Sequence, residues 1–266
     1  MAARLWHCSR HRRAVVPVRG RRLLHEIRMM IIDGIKARLH RDIVADPVLH
    51  GLVLNLYLNG EQYPHRVADY FPMAAVEDPQ LEQTVRRHMA DEDKHIALYT
   101  RAIEKIGQPV HIQPLENIFN SVILRHTPAS FALGADENRD SSRLKLAHFF
   151  AHLHFLEKRV ARSLEYHLDA CAHAISDYPA KVIDAVLRDE RGHVRYTRET
   201  VTDLLPAGDA DRVLKLHASA ERRANLDFSA NELGRLVREQ AARFPRWRGR
   251  VYRASAAMLQ GVLSIA

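Results

Sequence analysis

The sequence predicts an all-α protein with a four-helix bundle at its centre and further helices at both ends. Three observations predict this class. Apolar residues recur with the helical period in every strong segment, and no segment alternates as a strand does. The connections between the four central helices are short, then long, then short. Prolines and glycines fall where these helices should begin and end.

Charge separates the ends of the chain from its centre. The formal net charge is +8, but residues 1–28 carry eight Arg and one Glu, and residues 220–266 carry nine Arg and four acids. The centre is therefore net acidic, and the basic pI is weak evidence for binding to nucleic acid. The two cysteines form no Cys-x-x-Cys pair, which excludes a zinc ribbon and a rubredoxin-type iron site. A reducing cytoplasm is the expected location.

The chain divides into four predicted regions. These are a basic arm at 1–22, a leading helix at 23–45, the bundle at 46–205 and a basic helical extension at 206–266. The arm has the Arg-rich, acid-poor composition of an organelle transit peptide, and a disordered arm or a misplaced start is the favoured interpretation. No apolar run reaches the roughly 18 residues that cross a bilayer as a helix.

The bundle helices are predicted at 46–70, 78–106, 142–175 and 179–204. Pro64 predicts a kink in the first, because it cannot donate a hydrogen bond to Gly60. The connection at 108–141 is long and contains one apolar stretch, at 115–124, that predicts a short crossing helix. A long connection there lets the second and third bundle helices run parallel, as in ferritin-like folds.

Two of the helices contain nearly the same string. Asp91 and Glu92 precede His95 in one, and Asp189 and Glu190 precede His193 in the other. Glu and His three residues apart lie on one face of a helix, where both can reach one metal ion. Each preceding Asp can accept a hydrogen bond from a histidine ring and fix its tautomer. One such motif is common by chance, whereas two in a shared longer string indicate a metal site.

A carboxylate site in a bundle also needs one Glu from each of the other two helices. In the first helix Glu61 is the only interior acid. In the third, Glu157 shares an apolar stripe with Leu153 and Leu164, so its charge would be costly without a cation. Glu165 lies on a charged face but closer in sequence to the turn before Glu190's helix. Glu157 is the favoured ligand, and Glu165 stays open as the alternative.

The strings EDKHIALYTRAIEKIGQP and DERGHVRYT resemble the second and fourth bundle helices of bacterioferritins and rubrerythrins. The doubled Asp-Glu-x-x-His is also similar to the motif of oxygen-activating di-iron monooxygenases. The resemblance spans roughly residues 47–204 and implies a ferritin-like fold with bridging Glu92 and Glu190. The implied ligands of the two ions are Glu61, Glu92, His95, Glu157, Glu190 and His193. Asp93 replaces the haem-ligating Met of bacterioferritins, so no haem is expected.

The expected function is that of a non-haem di-iron oxidoreductase that activates O2 or peroxide and can oxygenate an organic substrate. Carboxylate and imidazole ligands suit Fe(II), Mn(II) or Zn(II), so iron rests on the resemblance. The alternative is an iron-binding ferroxidase of the ferritin type without an organic substrate. The small-molecule substrate, the electron donor and a homo-oligomeric state are left open by the sequence.

Several residues near the motifs have two interpretations. Tyr57, Tyr99 and Tyr196 lie one or two turns from the predicted ligands and could line a channel or carry a radical, although core packing is commoner. His65 could be a seventh ligand, but a surface position is favoured. The segment 243–253 interleaves Arg with aromatics, as contacts with nucleic acid or anionic membranes do. A basic helix that packs its aromatics on the bundle is the favoured interpretation.

Overall fold

The computed structural model describes residues 34–128, 139–172 and 176–263. The predicted arm at 1–22 and residues 23–33 of the predicted leading helix lie outside these residues. Within them, all regular secondary structure is helical, which confirms the all-α class. No helix in these three ranges combines the length and the apolar character that a bilayer-spanning segment requires.

Nine helices cover most of the described chain. They are α1 (34–44), α2 (Pro47–Glu61), α3 (Val67–Tyr70), α4 (Pro79–Lys105), α5 (Phe119–Arg125), α6 (Arg139–Cys171), α7 (Tyr178–Leu204), α8 (Ala207–Glu239) and α9 (Arg246–Leu263). Helix α5 lies in the predicted crossing segment, and α8 and α9 form the predicted helical extension. The predicted ends at 106 and 204 lie within one residue of the observed ends.

Helices α2 and α4 begin in the same way. Asp46 and Asp78 precede a proline at the first helical position, and each carboxylate accepts hydrogen bonds from backbone N–H groups of the first turn. These N–H groups have no partner within the helix, so an Asp cap stabilises the helix end by about 1 kcal/mol. Proline is tolerated there because its missing N–H would have no helical partner. The starts of both helices are therefore set by local sequence.

The predicted helix at 46–70 is not continuous. Helix α2 ends at Glu61, and the chain is non-helical until α3 begins at Val67. Pro64 removes a donor and also disfavours the helical conformation of Tyr63 before it, so the chain breaks where a kink was predicted. Glu61 consequently lies in the last turn of α2.

Contacts between neighbouring helices fix the helix directions, because residue numbers run in opposite senses within each pair. They are Tyr57–Tyr99 and Glu61–His95 for α2 and α4, His88–Tyr196 and His95–Asp189 for α4 and α7, and His154–Val194 and Glu165–Arg191 for α6 and α7. Helices α4 and α6 are both antiparallel to α7 and so run the same way. The long connection therefore joins two parallel helices, as its length predicted.

A buried core is shared by α2, α4, α6 and α7. Each helix contributes a fully buried aliphatic side chain, namely Leu58, Ile103, Leu164 and Ile183. Helix α8 packs on α5 and α6, and α9 packs on α8. Burial of such side chains supplies about 2 kcal/mol each, which stabilises the shared arrangement and fixes the depth of the polar residues between them.

Two asparagines of α2 hold the start of the connection against the helix. The Nδ2 group of Asn55 donates to the carbonyl of Pro109 at 3.0 Å, and its Oδ1 accepts from the His111 N–H at 2.7 Å. Asn59 repeats this pattern with the carbonyl of His111 and the N–H of Gln113, both at 2.8 Å. Both asparagines are buried. They pair backbone groups that would otherwise lack partners at this interface.

The aromatics of the segment 243–253 have different environments. Phe244 and Tyr252 are buried, whereas the side chain of Trp247 is 64% exposed. Arg243 forms an ion pair with Asp46, the cap of α2, at 3.0 Å. Two of the three aromatics are therefore buried, and Trp247 faces solvent.

Candidate metal centre

The six predicted ligands come together between α2, α4, α6 and α7. Helix α2 contributes the carboxylate of its last turn, α4 and α7 each contribute a Glu and a His from one face, and α6 contributes one Glu. Five of the six residues are buried, and the side chain of Glu61 is 9% exposed. The residues are Glu61, Glu92, His95, Glu157, Glu190 and His193.

The ligand atoms form overlapping groups in which all atoms lie within 4.8 Å of one another. One group contains Glu61, Glu92, His95 and Glu190. A second contains Glu157, Glu190 and His193. Glu190 belongs to both groups, and Glu92 joins His193 in a third. Glu92 and Glu190 thus each belong to two overlapping groups of potential metal ligands.

The two motif histidines present the same nitrogen to the carboxylates. His95 Nδ1 lies 3.6 Å from Glu190 Oε1 and 3.9 Å from Glu61 Oε1. His193 Nδ1 lies 3.4 Å from Glu92 Oε1 and 3.4 Å from Glu190 Oε2. Ligand atoms that share an ion at about 2.1 Å are separated by roughly 3 to 4 Å, so the spacing fits a metal between them.

Several of these atoms are buried without a hydrogen bond. Among the described residues, His95 Nδ1, His193 Nδ1 and both carboxylate oxygens of Glu190 have no hydrogen-bond partner. An unsatisfied buried polar atom costs roughly 1 to 3 kcal/mol, and more when it is charged. A pair of cations would satisfy all four atoms at once, so the donor set fits metal ions.

Burial and mutual repulsion set the protonation of the four carboxyl groups. Burial, together with the neighbouring carboxylates, raises the pKa of Glu61, Glu157 and Glu190 well above its usual range. Burial also raises the pKa of Glu92, but hydrogen bonds from Glu61 and His88 outweigh it and make the net shift a lowering. The cluster thus favours the retention of protons on Glu61, Glu157 and Glu190. Metal ions that bind there must displace these protons.

The two aspartates that precede the motif glutamates serve the opposite helix. His95 Nε2 lies 3.2 Å from Oδ2 of Asp189, and His193 Nε2 lies 3.5 Å from Oδ2 of Asp91. Lys94 joins the two aspartates, at 2.6 Å from Asp189 and 3.0 Å from Asp91. A hydrogen bond to the outer nitrogen leaves Nδ1 free to bind a metal. Asp189, predicted as a tautomer-fixing residue, thus joins α7 to α4 through a hydrogen bond, whereas His193 Nε2 has no hydrogen-bond partner among the described residues.

His88 is a site residue that the sequence interpretation missed. Its Nε2 lies 2.9 Å from Glu92 Oε1 and 3.7 Å from Glu157 Oε1. The ring stacks on that of His193 with centroids 3.6 Å apart. The available signal was its spacing, since a residue four positions before Glu92 shares its helix face. His65, the seventh ligand considered from sequence, is exposed.

Tyrosines border the centre on two sides. Tyr99 is fully buried, and its hydroxyl lacks a hydrogen-bond partner among the described residues, as does the buried hydroxyl of Tyr70. Burial raises the pKa of both phenols, and the negative field of the carboxylates adds to the shift. Tyr196 hydrogen-bonds to His88 Nδ1 at 2.6 Å. The ring of Tyr57 packs against the ring of Tyr99. Tyr70 was not predicted.

Glu165 lies outside the cluster. Its side chain is 35% exposed and pairs with Arg162 at 2.9 Å and with Arg191 at 3.4 Å. Glu157, by contrast, is 6% exposed and belongs to the group with Glu190 and His193. The apolar stripe on α6 therefore identified the acid that points inward.

Comparison of the chain with protein-family models, with curated proteins and with solved structures finds no match.

Proposed function

We propose that this chain is a non-haem di-iron oxidoreductase of the ferritin-like type, which activates O2 or peroxide at the site between α2, α4, α6 and α7. The observation that carries the proposal is the set of three overlapping ligand groups, which are linked through Glu92, Glu190 and His193. Two ferrous ions held there would supply one electron each, enough to reduce hydrogen peroxide to water when two protons are added. The helix directions, with α4 and α6 parallel, support the same bundle topology.

The protein residues divide the site into two halves. Glu61 and His95 would hold the ion nearer α2, and Glu157 and His193 the ion nearer α6, with the shared carboxylates between them. His88 is a further donor for the second half, because its Nε2 faces Glu92 and Glu157. With this additional histidine, the second ion would have a different set of ligands from the first.

The surroundings of the second half are apolar and aromatic. Phe71 packs edge-on against His88 with ring centroids 5.0 Å apart, and Tyr70 and Phe149 pack against Phe71. Such a lining excludes water and strengthens electrostatic interactions inside the site. The buried Tyr70 hydroxyl is a hydrogen-bond donor in this lining. An apolar wall with one donor suits a small organic substrate better than a route for hydrated ions, which favours an oxidoreductase over a storage protein.

The decisive experiment combines metal analysis with oxygen uptake. Anaerobic reconstitution with Fe(II) is expected to give about two iron ions per chain, and exposure to air is expected to give O2 consumption in rapid-mixing measurements. The Glu92→Ala, Glu190→Ala double variant should lose both ions and the uptake. Glu165→Ala, an acid on α6 outside the cluster, is the matched control and should keep both.

Two outcomes would overturn the assignment. Full iron retention in the double variant would place the metal elsewhere. Deposition of many irons per chain from excess Fe(II), in a large hollow assembly, would replace the oxidoreductase with an iron-storage protein of the ferroxidase type.

A further inference from the structure

A second group of metal-binding side chains lies away from the carboxylate cluster. His50 on α2 and His167 and Cys171 on α6 place one ligand atom each within 4.8 Å of the other two. All three residues are buried, and His167 is fully so. None of them belongs to the groups formed by the glutamates. The second cluster therefore needs its own explanation.

The geometry brings two helices to one point. His167 and Cys171 are four residues apart on α6 and share a face, so both can reach one ion. His50 approaches from α2, with its Nε2 2.9 Å from His167 Nε2. Two nitrogens that bind one tetrahedral ion at about 2.05 Å are roughly 3.3 Å apart. If the distance between the two Nε2 atoms increased by a few tenths of an ångström, both could bind the same ion.

The protonation states suit ligation by the imidazoles. Burial lowers the pKa of His50 to about 4, and that of His167 falls well below its usual value for the same reason. Both rings are therefore neutral at pH 7 and have a lone pair to offer. Burial raises the pKa of the Cys171 thiol to about 12, so the sulfur keeps its proton until a cation replaces it.

The outer nitrogen of His167 is already oriented. Its Nδ1 lies 3.3 Å from the hydroxyl of Tyr57, so an Nδ1–H can donate to that oxygen while Nε2 binds an ion. Outer hydrogen bonds of this kind fix the tautomer of metal-binding histidines. The ring of His40 borders the cluster, with its centroid 5.7 Å from that of His167. Among the described residues, His40 is therefore a further candidate ligand beside the three.

We infer that His50, His167 and Cys171 bind one zinc-class transition-metal ion through two imidazole nitrogens and a thiolate, separately from the carboxylate centre. Thiolate and imidazole are the ligands that zinc-class ions prefer, whereas the four-carboxylate site suits harder ions. Binding one divalent ion releases one proton, that of the Cys171 thiol, and transfers no electrons. The proton between the two Nε2 atoms moves to the outer nitrogen of His50.

Cobalt(II) is the probe that separates the two sites. A thiolate bound to Co(II) gives a near-ultraviolet charge-transfer band, which carboxylate and imidazole ligands do not give. When the full chain is titrated with Co(II), this band is expected to appear. The chain should then bind one equivalent of Co(II) more than the carboxylate site holds. Cys171→Ser should lose the band and one bound ion. Cys8→Ser, the change at the chain's other cysteine, is the matched control and should keep both.

The carboxylate variant makes failure of this inference distinguishable from failure of the proposed function. Glu92→Ala, Glu190→Ala should retain the thiolate band while it loses the other ions. His50→Gln tests the site without altering the thiol. It should lower the Co(II) affinity measured from the thiolate band at least tenfold. Absence of the band from the wild-type chain, or its persistence in Cys171→Ser, would overturn the inference.

Discussion

His95 Nε2 lies 3.2 Å from Oδ2 of Asp189, a residue of the opposite motif on α7. The two residues are 94 positions apart in sequence and lie on different helices. It orients the imidazole so that Nδ1 faces the carboxylates, and it binds α4 to α7 at the depth of the centre. Asp189 of one motif therefore acts on His95 of the other.

Asp189→Ala is expected to weaken metal binding by about 10- to 100-fold, because the outer hydrogen bond that fixes the His95 tautomer is lost. Asp91→Ala should have a smaller effect, since Asp91 lies 3.5 Å from His193 Nε2. Metal titration by calorimetry measures both. Asp93→Ala, at an exposed position of α4, is the control. Equal affinities for Asp189→Ala and the control would show that the contact does not support the site.

His88→Gln should lower the affinity of one of the two ions and leave the other unchanged. The physical reason is that His88 Nε2 faces the shared Glu92 and also Glu157, which belongs to the half nearer α6. We expect at least a tenfold loss at that position, as for other removed donors. A two-step titration with Fe(II) or Mn(II) resolves the positions. His65→Gln, on the surface, provides the comparison; parallel losses at both ions would contradict the two-half description.

Asn55→Ala should destabilise the fold by about 1 to 3 kcal/mol, because it removes two part-buried hydrogen bonds, to the carbonyl of Pro109 and from the N–H of His111. Chemical unfolding followed by circular dichroism gives the free energy. Asn231→Ala removes an exposed side-chain hydrogen bond within α8 and should cost less than about 0.5 kcal/mol. Similar losses for the two variants would mean that the connection is not held by α2.

The free energy of unfolding should fall between pH 6.5 and pH 4, in part through His152. Burial lowers the pKa of this histidine to about 4, so over that window the unfolded chain binds the proton and the folded chain does not. The contribution is complete above pH 6.5 and amounts to about 3 kcal/mol at most. His217, whose pKa burial lowers to about 3, acts with the same sign.

The test compares His152→Gln with the wild type at pH 7 and pH 5. The variant should lose less stability than the wild type on acidification, because it carries no group to protonate there. His65→Gln, at an exposed position, should follow the wild type. An unchanged pH dependence in His152→Gln would assign the acid sensitivity to other groups.

The site illustrates which features could be read from sequence. The apolar stripe of α6 separated Glu157 from Glu165, since a helix face is a local property of spacing. The same reasoning could have included His88, which repeats on the face of Glu92. The break after Glu61 was underestimated, because the effect of Pro64 on the preceding residue adds to the loss of its donor.

By itself, the sequence determined most helices of the described chain, the starts of α2 and α4, and the faces that carry Glu92, His95, Glu190 and His193, because these depend on residues within one or two turns. Only the tertiary structure decided which side chains meet across helices. One example is the hydrogen bond between His95 of one motif and Asp189 of the other, and another is the contact between His50 and His167, which are 117 residues apart. Both depend on helix direction and on depth in the core. Long-range packing sets both, and no local pattern encodes them.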